Sequence, residues 1–252
     1  MKPTVHQLIK PLTIRFSLWD GNPIYHFSGE PDTQLDGIER MMDVDIENNP
    51  IFDTNLGFLP ISSTTLIKGE KTIVVDPGNF HMGNYGMVER GLRAHDLGLE
   101  DVDVLVVTHN HLDHMASSFL FEHSELVIGE GELEHAREMM WPSFVDAITV
   151  DRVDGVTTVG EDDGMVELCD GVSAFFTPGH TPASISLFVE TETDDVAVIG
   201  DVAMTRTDYT ERDLSHWYTD EQVQLLHESL DHIESLHPTM VIPGHDFPFE
   251  PQ

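Results

Sequence analysis

The sequence predicts a mixed α/β domain, and three observations carry that prediction. Short apolar runs rich in Val and Ile fall into two sets, a helical stretch follows each set, and ligand-type residues stand directly after several of the runs. A brief apolar run bounded by turn residues marks a strand buried on both faces, and apolar residues at three- and four-residue steps mark a helix with one face on a core.

The first set comprises Leu12–Leu18, Ser63–Lys68 and Thr72–Asp76. Between its first two members, residues 19–60 are polar, rich in Asp, Asn, Pro and Gly, and without a sustained period. A long loop is expected there, and loops of that length within a compact domain usually act as lids or oligomer contacts. The helical stretch Asn84–His95 carries Met87, Leu92 and Ala94, and Val102–Thr108 is the next buried strand. The second set comprises Val172–Thr177, Ser184–Val189 and Val196–Ile199. Asp220–Leu236 then places Val223, Leu226, Leu230 and Ile233 at helical steps before the last run, Met240–Ile242. At 252 residues the chain fits one domain, 1–252, with no linker. Periodicity by itself does not choose among α/β architectures.

The charge balance is extreme, with 46 acidic against 12 basic residues and a net charge of −34. Self-repulsion at that charge is severe in dilute salt. The acids are spread along the whole chain and 40% of residues are hydrophobic, which excludes an acidic disordered tail. Such a surface resembles that of halophilic proteins working in molar salt, where screening removes most of the repulsion. Cys169 is the only cysteine, so no internal disulfide forms, and it is expected to pack as a small apolar residue. The first seven residues lack a signal-peptide core and no long apolar run occurs, so a cytoplasmic protein with no membrane contact is expected.

Residues 109–114, His-Asn-His-Leu-Asp-His, concentrate the ligand chemistry. His109 begins where the strand Val102–Thr108 stops. From an extended stretch His109 and His111 can turn the same way, while Asp113 and His114 begin the next segment and can face a second ion. Three further runs end in a turn residue and then a ligand: Pro178-Gly179-His180, Gly200-Asp201 and Pro243-Gly244-His245. Imidazole and carboxylate donors suit zinc, and also iron or manganese. The other ten histidines, among them His6, His26, His123, His135 and His232, lie in polar or helical surroundings and read as surface residues.

His109, His111, Asp113, His114, His180, Asp201 and His245, in that order and spacing, resemble the metallo-β-lactamase-fold hydrolases. The resemblance runs from Asp76 to His245. It implies a four-layer αβ/βα sandwich and two Zn2+ ions: His109, His111 and His180 on the first, Asp113, His114 and His245 on the second, and Asp201 bridging. Asp76 would orient a ligand. The implied reaction is hydrolysis of an ester, thioester, lactone or phosphodiester by a hydroxide shared between the metals, with Asp113 as the catalytic residue that handles its proton.

Seven residues follow His245, so the helical domain that holds glutathione in glyoxalase II-type thioesterases is not expected. A lysine- and arginine-rich tRNA-gripping insert is absent as well. A small-molecule substrate is the expectation, RNA stays open, and the oligomeric state is not legible. Arg206-Thr207-Asp208-Tyr209 is faintly similar to persulfide dioxygenases, which use one iron on the same ligand frame. Beyond Asp201, the stretch Ala203–Tyr218 reads as an addition whose Tyr209, His216, Trp217 and Tyr218 either line a pocket or start a packed helix.

Overall fold

The computed structural model describes residues 2–19, 22–28, 58–78, 84–139, 142–149, 155–212, 214 and 218–251. The first half of the chain forms β1 (Thr4–Ile9), β2 (Leu12–Trp19), β3 (Asn22–Ser28), β4 (Phe58–Ile61), β5 (Thr64–Lys68), β6 (Thr72–Val75) and helix α1 (Asn84–Arg93). There follow β7 (Val104–Val106), the one-turn α2 (Leu112–Met115), β8 (Glu125–Gly129), α3 (Glu132–Met139), α4 (Pro142–Thr149) and β9 (Val156–Val159). The second half forms β10 (Val166–Cys169), β11 (Val172–Phe176), β12 (Ile185–Glu190), β13 (Asp195–Gly200), α5 (Arg206–Glu211), α6 (Asp220–Ser235) and β14 (Met240–Pro243).

Six strands form one sheet in the order β1-β5-β6-β7-β8-β9, and five form a second in the order β10-β11-β12-β13-β14. In the first, β6 through β9 run parallel. In the second, β13 and β14 are the parallel pair. Strand alternation sends successive side chains to opposite faces, and the cores follow it. Ile73, Val75, Val104, Val106 and Val127 of the first sheet meet Val172, Ala174, Ile185, Leu187, Val196 and Val198 of the second. The intervening residues Val74, Leu105, Leu126 and Ile128 face the other way, onto Val88 and Leu92 of α1. Ala197, Ile199 and Val241 likewise face outward onto Leu226, Leu230 and Ile233 of α6. Helix, sheet, sheet, helix: the four layers follow from which residues in each strand are apolar. Each fully buried Leu or Ile contributes about 1.5–3 kcal/mol, so the sandwich rests on these three clusters.

Several local expectations change. Leu12–Leu18 does not join the first sheet; as β2 it pairs with β3 and β4 in a separate three-stranded sheet. Within residues 19–60, Asn22–Ser28 and Phe58–Ile61 are strands, and residues 29–57 lie outside the described residues. The β-branched and aromatic residues of Ile24-Tyr25-His26-Phe27 are the signal for β3, and its polar flanks hide it. Along α1 the buried residues are Val88 and Leu92, while Met87 and Ala94 face solvent. Cys169 is buried in the inter-sheet core. Among the described residues no helix is long and apolar enough to cross a membrane.

Candidate metal centre

Parallel strands open their carboxyl ends on one side, and the ligand-type residues gather there. Asp76 follows β6, His109 and His111 follow β7, Asp201 follows β13 and His245 follows β14. His180 enters from the turn after β11, where Gly179 has a φ of +137° that a side chain would rarely tolerate. At Gly244 the chain passes close to a ligand-type residue, and a Cβ would stand 1.9 Å from Asp201 Oδ1. Glycine there is required by space.

All seven predicted ligands converge, in two groups. His109, His111, His180 and Asp201 form the first, and Asp113, His114 and His245 the second. In the first, His180 Nε2 lies 2.9 Å from His111 Nδ1 and 3.3 Å from Asp201 Oδ2, and His109 Nε2 is 3.8 Å from Asp201 Oδ2. In the second, His245 Nε2 lies 3.2 Å from Asp113 Oδ2, and His114 Nε2 lies 3.5 Å from that same oxygen. Asp201 faces this group too, with Oδ1 3.4 Å from His114 Nε2 and Oδ2 3.4 Å from His245 Nε2.

On three of the histidines the far nitrogen is tied down, which fixes where the inner one points. His114 Nδ1 is 2.9 Å from Asp76 Oδ2, and His109 Nδ1 is 3.0 Å from Thr108 Oγ1. Asp76 is held in turn by the Thr108 N–H at 2.8 Å and the Thr108 hydroxyl at 2.7 Å. Its backbone sits at a φ of +53°, a conformation that an aspartate accepts at modest cost. His180 Nδ1 meets the Tyr218 hydroxyl at 2.6 Å.

Metal fits this donor set. His109 Nε2 and Asp201 Oδ1 are buried and take no hydrogen bond, an expensive state for polar atoms unless a cation satisfies them. Donors around a tetrahedral zinc at about 2.0–2.1 Å stand roughly 3.3–3.4 Å apart, and the separations here bracket that value. Five imidazoles and two carboxylates, with no thiolate, suit zinc, iron or manganese.

Without metal the two groups differ in charge. Burial lowers the pKa of His109 and His111 and takes His180 down to about 4, so these rings are neutral. Burial opposes charge on His114 and His245 as well, but Asp201 and Asp113 overcome it, with Asp76 adding to the effect at His114. These pKa values rise to about 9 and about 10. Burial works against the carboxylates of Asp113 and Asp201 too, and the surrounding histidines hold both below the usual range.

Two contributors escape a reading for ligands. Tyr218 stands out in the sequence only as one aromatic of an added segment, whereas here its hydroxyl braces His180. Its companions His216 and Trp217 lie outside the described residues, and Tyr209 packs in the outer core against Phe249. Glu132 is fully buried beside the ligand loops. The signal for it is the context that marks the ligands themselves: an apolar strand, then Gly129-Glu130-Gly131, then the acid.

A sandwich of this topology, with imidazoles and carboxylates clustered at its strand ends, is the metallo-β-lactamase fold, and sequence comparison agrees. The metallo-beta-lactamase superfamily profile matches residues 56–245, and the chain belongs to that superfamily. Among curated relatives, a protein of Methanocaldococcus jannaschii described as a probable metallo-hydrolase is 28% identical over 140 residues, 51% of this chain and 63% of that one. An N-acyl homoserine lactonase of Bacillus thuringiensis is 29% identical over 101 residues, 38% of this chain and 37% of the relative. The chain thus spans less than two thirds of either. Among solved structures, a probable metal-dependent hydrolase from Staphylococcus aureus superposes with a TM-score of 0.68 at 16% identity, covering 99% of this chain and 92% of that one. An N-acyl homoserine lactone hydrolase with N-hexanoyl-L-homoserine at its catalytic metal centre gives 0.60 at 19% identity, covering 76% and 84%. At those identities the likeness is one of fold.

Proposed function

We propose that this chain is a dinuclear zinc hydrolase of a small ester-like molecule, with lactones the favoured class. The observation that carries the reading is Asp201, whose two oxygens lie 3.3 Å from His180 Nε2 of one group and 3.4 Å from His114 Nε2 of the other. His109, His111 and His180 would hold one ion, Asp113, His114 and His245 the second, and Asp201 would span both. Two zinc ions, when bound, supply Lewis acidity toward a carbonyl oxygen and acidify water toward neutral pH.

The chain's residues do the orienting and the proton transfer. Asp76 keeps the His114 lone pair on Nε2, and Tyr218 steadies His180. Asp113, held ionised by His114 and His245, is the group assigned to accept the proton of the attacking water. The lactone preference draws its support from the Bacillus thuringiensis lactonase. Thioesters and phosphodiesters, the other classes this ligand frame allows, are further arms of the test.

The test begins with metal content per chain after purification without added metal, followed by a lactone, ester, thioester and phosphodiester panel. Two zinc ions per chain and turnover of a lactone are expected. Asp201→Ala should lose both ions, while Asp113→Asn should keep most metal and lose about 10²–10⁴-fold in kcat, the range supplied by a proton-transfer group. One iron per chain, with oxygen uptake on glutathione persulfide and no hydrolysis across the panel, would replace this reading with a mononuclear dioxygenase.

A further inference from the structure

Glu132, the first residue of α3, is completely buried, yet it is none of the metal ligands. A buried carboxylate is costly unless hydrogen bonds hold it, so its neighbours indicate what it serves. Its Oε1 accepts the backbone N–H of Asn110 at 2.8 Å, and its own carbonyl accepts the Asn110 side-chain amide at 3.1 Å. Asn110 is the residue between His109 and His111. This double attachment fixes the orientation of the peptide that aims those two imidazoles.

On its other side, the carboxylate lies near the Thr181 side chain and the Ala183 backbone amide, one and three residues beyond His180, while its Oε2 is buried and takes no hydrogen bond, so proximity and burial set this contact. That turn is braced within itself by Gly179 N–H to the Thr181 carbonyl at 2.9 Å and by the Thr181 and Ser184 hydroxyls at 2.7 Å. It also sits hard against the strand that leads to Glu132, since a Cβ on Gly129 would come within 1.6 Å of the Ala183 carbonyl oxygen. One carboxylate is therefore wedged between the loop that carries His109 and His111 and the loop that carries His180.

We propose that Glu132 is a positioning residue: it locks the 109–111 loop against the 178–184 turn, so that His109, His111 and His180 hold the spacing a metal ion needs. The proposal rests on the metal-centre reading above. Polar partners of this kind typically alter metal affinity by about 10–100-fold when removed. Glu132→Gln keeps the volume and an acceptor for Asn110 but turns an amide N–H toward the Ala183 N–H, and Glu132→Ala removes both attachments.

The experiment compares parent, Glu132→Gln and Glu132→Ala proteins by chelator-driven zinc loss, by unfolding midpoints with and without zinc, and by the visible spectrum of the cobalt(II) form. About 10–100-fold weaker zinc retention, a smaller midpoint rise on adding zinc and an altered cobalt spectrum are expected. Thr181→Val, which removes the hydroxyl that faces the carboxylate and meets Ser184 Oγ, should shift the same readouts less, with Ser184→Ala as its control for the bond within the turn, and the pair keeps the test decisive if a Glu132 variant does not fold. Equal zinc retention and an unchanged cobalt spectrum in the variants, with metal-free and zinc-loaded midpoints falling together, would overturn the proposal and reduce Glu132 to a fold residue. A parent protein that retains no metal would instead overturn the metal-centre reading, and this inference with it.

Discussion

His114 and His245 carry the sharpest single-residue consequence of the site. With pKa values near 9 and 10 in the metal-free protein, both rings stand above the ordinary histidine value of 6.5. Their protonation contributes stability that is fully present below about pH 6.5 and is lost as pH rises through 9 to 10. Metal binding demands the opposite state, a neutral ring with a free lone pair. Zinc uptake near neutral pH should therefore release about two protons from these rings, in addition to any given up by metal-bound water, and apparent affinity should rise with pH below about 9. Calorimetric titration in two buffers of different ionisation enthalpy measures that number, and a release of one proton or none would show that the rings are already neutral. Gly244 gives a second test, because the methyl of Gly244→Ala would fall 1.9 Å from Asp201 Oδ1 and force that carboxylate aside. Metal content should drop in this variant with little change in the midpoint of the metal-free form. At this scale the seven residues that cluster are legible in the sequence, since most follow a strand end or turn, and their supports are far less so. Glu132 resembles any acid opening a helix, and only the backbone folding around Asn110 reveals its partners.

Secondary-structure elements deliver these residues by running parallel where it matters. β13 and β14 lie side by side in parallel, and the Gly244 N–H to Gly200 carbonyl bond at 2.8 Å continues their ladder to the residues next to Asp201 and His245. Their β-branched runs make them easy to read from sequence, as are the Leu226, Leu230 and Ile233 steps of α6. Pairing is harder to read, because a strand's apolar pattern does not name its neighbour. That is why β2 looks like a member of the first sheet and yet, among the described residues, pairs with β3 and β4. Helix α6 begins with a capping box, in which the Thr219 hydroxyl accepts the Gln222 N–H at 3.2 Å and the Gln222 side chain returns to the Thr219 N–H at 3.1 Å. Thr219→Ala should cost about 0.5–2 kcal/mol, seen as a lower unfolding midpoint. Because Tyr218 precedes this cap and touches His180, a loosened cap should also speed zinc loss. An unchanged rate of zinc loss would mean that Tyr218 is held from elsewhere.

Across the whole molecule, charge sets the conditions in which these parts can work. Twelve basic residues cannot neutralise 46 acidic ones, and the cations that do pair, such as Lys2 with Glu190 at 2.8 Å and Arg212 with Asp231 at 3.0 Å, do so at the surface. Exposed pairs of that kind add little, about 0–1 kcal/mol each. The excess negative charge is therefore a net repulsion spread over the fold, opposed by the three apolar clusters. Salt changes that balance directly, because the screening length falls from about 10 Å at 0.1 M to about 3 Å at 1 M. The unfolding midpoint should climb steeply as potassium chloride rises through this range. The buried centre should respond differently: its carboxylates interact with histidines at contact distance, where screening is weak, so zinc affinity should change far less than stability once the fold is formed. Unfolding midpoints and zinc affinity measured on the same samples from about 0.1 to 3 M salt separate the two effects. A flat midpoint would end the case for adaptation to high salt, whereas a rising midpoint with nearly constant zinc affinity would assign the acidic surface to folding and solubility and leave metal binding to the seven clustered residues.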